Sequence, residues 1–129
     1  MKVKANDLGI CGVEQLFYAG SVNFDTEDAD KGVVLCKAPE KVIITRGVAV
    51  VSTAFNAGTT NPVSVGTNSD VNNILASSDI TAGTAGTYSA DKFVEVAKGA
   101  EIKIKYAPTG TDATAGAADI YLFAVGIPD

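Results

Sequence analysis

The chain has 129 residues, of which 47% are apolar but only 7% aromatic, with no tryptophan and no histidine. That length suits one domain with a core of Val, Ile, Leu and Ala, and a 19% charged fraction is too small to coat the outer faces of a helical bundle. A formal charge of −5 excludes the basic footprint of nucleic-acid binding, and the missing histidine removes Ser-His-Asp, Cys-His and His-ligated metal chemistry.

Residues 1–20, MKVKANDLGICGVEQLFYAG, hold no apolar run of signal-peptide length, and no later segment reaches the ~18 apolar residues of a membrane span. The expectation is a protein made in a cytoplasm that meets neither membrane nor nucleic acid. The short run from Gly12 to Gly20 fits strand and helix equally. Cys11 and Cys36 are the only thiols. They read either as a disulfide or, in keeping with a reducing compartment, as two buried free cysteines. Without histidine they do not complete a structural zinc site. Residues 23–32, NFDTEDADKG, form an acidic loop in which Asp25, Glu27, Asp28 and Asp30 offer alternating oxygens to a Ca²⁺ ion. The loop lacks the twelve-residue span and the closing bidentate Glu of a calcium loop, so a solvated acidic turn is the simpler reading. Residues 1–38 hold both cysteines and this cluster, and are expected to form an arm or extra hairpin packed on a main domain of residues 39–129.

Residues 41–55, KVIITRGVAVVSTAF, are too apolar on both faces for an edge strand, which predicts a central strand with a glycine bulge at Gly47. Arg46 is its lone interior charge and either pairs with an acidic neighbour or bonds across a subunit contact. Val63 and Val65, alternating with Ser64, predict a short strand. Residues 71–79, VNNILASSD, predict a short turn that carries Ile74 and Leu75 inward. Residues 92–108 read as a hairpin: Phe93, Val94 and Val96, a turn at Lys98-Gly99, then Ile102, Ile104 and Tyr106, with Lys103 and Lys105 pointing away. Residues 107–119 are low in complexity and predict a mobile connection. The run from Ile120 to Val125 is apolar at every position, so it is covered on both faces or meets another subunit. Ile120, Tyr121, Leu122 and Phe123 therefore join Arg46 as interface candidates. A turn signal about every ten residues, with almost no helical periodicity, predicts an all-β sandwich. Aspartate at Val50 or at Ile104, both read as core, is expected to abolish soluble folding.

No reactive constellation accompanies this framework. Neither cysteine has the basic context of an activated thiolate, and no phosphate loop or dinucleotide fingerprint is present. The carboxylates are scattered and lack the aromatic platform of a glycosidase. The expectation is a protein that is not an enzyme and holds no cofactor.

From Val42 to Val125 the chain reads VIITRGVAVVSTAF, NAGTTNPVSVGTNSDVNNIL, SSDITAGTAGTYS and YAPTGTDATAGAADIYLFAVG. This order resembles small virion proteins of tailed bacteriophages. The shared pattern is an apolar strand, Thr-x-Phe, Ala-Gly-Thr, Val-x-Val-Gly, a Leu-bearing turn and Ala-Gly-Thr-Tyr, over about two thirds of the chain. The resemblance implies a β-sandwich or jelly-roll-like module that trimerises and serves in capsid decoration (cement), head fibres or tails. It transfers no catalytic or ligand-binding residue, because the matching positions are fold-forming. The implied protein is a homotrimer on the outer capsid surface of the virion, assembled in the host cytoplasm, which reinforces contacts between subunits of the major capsid protein. A tail, baseplate or fibre component is the alternative. A carbohydrate-binding module using Tyr88, Tyr106 and Tyr121 is a third reading.

Overall fold

Residues 13–127 are described by a computed structural model, and the β-branched, turn-punctuated sequence forms seven strands among them. These are β1 (Gln15–Asn23), β2 (Val33–Lys37), β3 (Val42–Thr53), β4 (Val63–Gly66), β5 (Gly86–Val96), β6 (Glu101–Tyr106) and β7 (Ala117–Gly126). All pairings are antiparallel, and a four-stranded sheet ordered β1-β7-β3-β5 packs on a three-stranded sheet ordered β2-β6-β4. Successive strands alternate between the sheets, so every connection crosses the sandwich in a jelly-roll-like manner. The expected all-β sandwich is the observed fold.

β3 is central, between β7 and β5, as apolar residues on both its faces predict. The register slips between Ile44 and Arg46, so the irregularity falls at Thr45 and not at Gly47. Gly47 serves packing instead: a Cβ there would lie 2.8 Å from Leu75 Cγ. Ile74 and Leu75 are fully buried, as the turn reading expects, and an isolated bridge from Leu75 to Val65 covers β4.

Three further expectations change. Residues 92–108 do not form a hairpin, because β5 pairs with β3 in one sheet and β6 with β2 and β4 in the other. The turn at Gly99 (φ +82°) is an arch between layers, and Phe93 ends 84% exposed on the outside. Alternation and a glycine turn look alike in a hairpin and in an arch, and only the long-range partners distinguish them. Second, the described part of residues 1–38 is built into the sheets: β1 pairs with β7 from Gln15 to Asn23, and β2 pairs with β6. Residues 1–12, Cys11 among them, lie outside the described residues. Third, residues 107–119 are tied down. Asn56 accepts hydrogen bonds from the Thr114 and Ala115 amides at 2.8 and 3.0 Å, and the Gly58 amide donates to the Thr111 carbonyl at 2.8 Å.

The core is Val, Ile, Leu and Ala, with one aromatic pair, Phe55 and Tyr106, whose ring centroids lie 4.6 Å apart. Burial pushes the Tyr106 phenol pKa up. The Tyr106 hydroxyl donates to Asn61 Oδ1 at 2.8 Å, which also accepts from the Ala57 amide at 2.9 Å, while Asn61 Nδ2 donates to the Ala57 carbonyl at 3.2 Å. Asn61→Ala leaves three part-buried groups unpaired and is expected to destabilise by about 2–4 kcal/mol, against about 1 kcal/mol for Tyr106→Phe. Urea denaturation checks both, and equal losses would show that Asn61 is not the hub of the turn.

Candidate docking face

The outer face of the four-stranded sheet is assembled from cross-strand rows. Leu16, Phe123, Arg46 and Asp91 form one row across β1, β7, β3 and β5. Tyr18, Tyr121, Val48 and Ser89 form the next, and Ser21, Asp119, Val50 and Thr87 a third. At the end of the sheet, Val125 and Ile43 stand side by side with Glu95 beyond them. The first two rows are apolar and aromatic over β1 and β7, and the face turns polar toward β5 and along the third row at Ser21 and Asp119. Its burial pattern is the alternation missing from the sequence: on β7, Ala118, Ile120, Leu122 and Ala124 are buried, while Tyr121, Phe123 and Val125 are half-buried on the outside.

The interface candidates therefore divide. Ile120 and Leu122 belong to the core, and Tyr121 and Phe123 belong to the face. Tyr121 stacks on Tyr18 at 5.4 Å, and the Tyr18 hydroxyl donates to Asp119 Oδ1 at 3.2 Å. Arg46 Nε bonds Asp91 Oδ1 at 2.6 Å, and its guanidinium carbon lies 5.5 Å from the centre of the Phe123 ring. The hydrogen bond to Asp91 raises the Arg46 pKa further, its charge adding to the effect. The ion pair neutralises Arg46, and Asp119 remains on the face as a carboxylate hydrogen-bonded by Tyr18. Leu16, Tyr18 and Phe93 are 58%, 59% and 84% exposed and were not singled out as interface residues from sequence. Assigning β1 as a strand in register with β7 is the signal that finds the first two.

Four strands about 4.8 Å apart and about nine residues long at ~3.4 Å each give the face an area of about 600 Å². A specific interface takes ~800 Å² per partner, so this one surface supplies most of a stable contact.

The acidic positions do not converge. Asp25, Glu27 and Asp30 are spread along the turn between β1 and β2, and Asp28 pairs with Lys31 at 3.7 Å. Among the described residues no group of three or more His, Cys, Asp or Glu side chains is arranged to hold a metal. Tyr106 is buried, and Tyr88 and Tyr121 stand on opposite faces of their sheet, so the three tyrosines make no common sugar platform.

No protein-family model and no curated protein sequence matches the chain. Among solved structures, a chain in the cyanophage Pam1 capsid asymmetric unit shares its fold, with a TM-score of 0.67 and 20% identity over 98% of this chain and 94% of that one. The match spans β1 and β2 as well as the strands after them, so the two chains correspond as whole folds.

Proposed function

We propose that the chain is a non-enzymatic phage capsid decoration (cement) protein that binds the outer surface of the head and reinforces contacts between major capsid subunits. The observation carrying this reading is the whole-length fold likeness to a chain of a phage capsid asymmetric unit. The outer sheet face supports the oligomer: three copies turning Tyr18, Tyr121, Val48 and Phe123 toward a common axis bury an apolar surface that is unpartnered in one copy. A decoration protein stabilises a shell by linkage, because binding that favours the assembled lattice opposes its dissociation. Fold, apolar contact area and a neutralised rim meet that requirement without a reactive group.

Two measurements test the reading. Light scattering at micromolar concentration is expected to give three times the chain mass of 13.2 kDa. Cosedimentation with undecorated heads is expected to saturate. Binding to isolated tails and not to heads would move the protein to the tail, and a monomer that binds neither would end the proposal.

A further inference from the structure

Two separate features meet at one corner of the sandwich. The first is the free edge of β1. β1 bonds β7 on one side, and no strand among the described residues pairs with the other. Its sequence, QLFYAGSVN, contains none of the Lys, Asp, Glu or Pro residues that guard natural sheet edges. The other three edges are managed. β5 carries Asp91, Lys92 and Glu95, β2 is only five residues long, and β4 is covered through Val65 and Leu75.

The second feature is a cleft of about 250 Å³ where β1 and β2 part. Phe17, Ile44 and Leu122 line one wall, with Ile102 and Cys36 on the other. Close-packed interiors rarely leave such a space, and an apolar cavity of about 150 Å³ already takes a benzene ring. Phe17 faces inward yet stays 43% exposed, because no described residue fills the space beside it. Burial pushes the Cys36 thiol pKa up, so it lines the cleft as a neutral group.

We propose that the β1 edge and this cleft form one strand-acceptor site, in which an extended segment of the capsid shell protein pairs with β1 and lowers a bulky apolar side chain into the cleft. This rests on the capsid reading above. The occupant is an extended polypeptide because the edge presents a row of backbone N–H and C=O groups, which another extended backbone matches and a flat surface or a small apolar molecule does not. A strand about 4.8 Å beyond β1 sets alternate side chains over the mouth of the cleft. Self-pairing of two β1 edges would instead produce a two-fold dimer.

Cys36 supplies the reporter. The Cys11→Ser variant leaves it as the sole thiol, and its alkylation by N-ethylmaleimide is followed by mass spectrometry in the free protein and on undecorated capsids. Binding is expected to slow alkylation at least about tenfold and to slow amide hydrogen exchange in β1 to a similar degree, with β5 unaffected at its own edge. If the protein cosediments with capsids while Cys36 and β1 react at their free rates, the strand-acceptor site is overturned and the decoration reading survives. Failure to cosediment removes both. Full protection in the free protein, or protection that grows with its own concentration, means that the chain fills its own edge or pairs with a second copy, and overturns the proposal as well.

Discussion

Val51→Asp is expected to yield no folded protein, whereas Val50→Asp, one residue earlier, is expected to fold and to lose self-association. Val51 points inward and is 2% exposed, with Ala118 and Gly86 beside it in register. A carboxylate there has no partner, and its burial costs several kcal/mol out of a total stability of about 5–15 kcal/mol. Val50 points outward between Asp119 and Thr87. Within one subunit its replacement costs at most about 1 kcal/mol, chiefly through repulsion from Asp119 directly opposite. In the assembled face the new carboxylate would be enclosed beside that of Asp119, a second unpaired negative charge in the contact, so association should fail. This replaces the expectation that Val50 behaves like Ile104, which is fully buried in β6 and remains a core position. Circular dichroism melts and light scattering on the two variants check the pair. Loss of folding in both would mean that the outer face is not the surface the register describes.

Gly116→Val is expected to lower the melting temperature by more than about 10 °C, while Gly99→Val lowers it by only about 3–6 °C. Both glycines hold positive φ, +148° and +82°, so both variants carry backbone strain of about 1–2 kcal/mol. They differ in surroundings. A Cβ on Gly116 would lie 2.3 Å from the Phe55 ring, whereas nothing stands within 4 Å of one on Gly99. Phe55 is 1% exposed and packs on Tyr106, which is fixed through Asn61, so the ring has nowhere to move. Overpacking then adds about 1–3 kcal/mol to the strain. Scanning calorimetry of both variants separates the two contributions, and equal shifts would show that the Phe55 contact relaxes freely.

The outer sheet face also explains why Arg46 suited two readings from sequence. It pairs with Asp91 within the sheet and at the same time lies on the outer face, against the Phe123 ring, that the proposed trimer would bury. An exposed ion pair of this kind contributes little to folding and mainly removes a charge that would oppose docking.

The sequence by itself determined the all-β class, the central place of β3, the short strand at Val63 and Val65, and the inward turn of Ile74 and Leu75. It also marked Ile120 to Val125 as an apolar strand, either covered on both faces or meeting another subunit. These are properties of local pattern: β-branched runs, period-two alternation and glycine turns act over a few residues. Only the tertiary structure decided which strands bond one another and which face each residue joins. It separated β5 from β6, placed β1 at the edge of the four-stranded sheet among the described residues, and divided Ile120 and Leu122 from Tyr121 and Phe123. The physical reason is that backbone hydrogen bonds between strands carry no side-chain label. A strand of alternating residues pairs equally well with several others until burial of one whole face selects the partner, and in a sandwich whose every connection crosses between sheets that choice joins residues far apart in the chain.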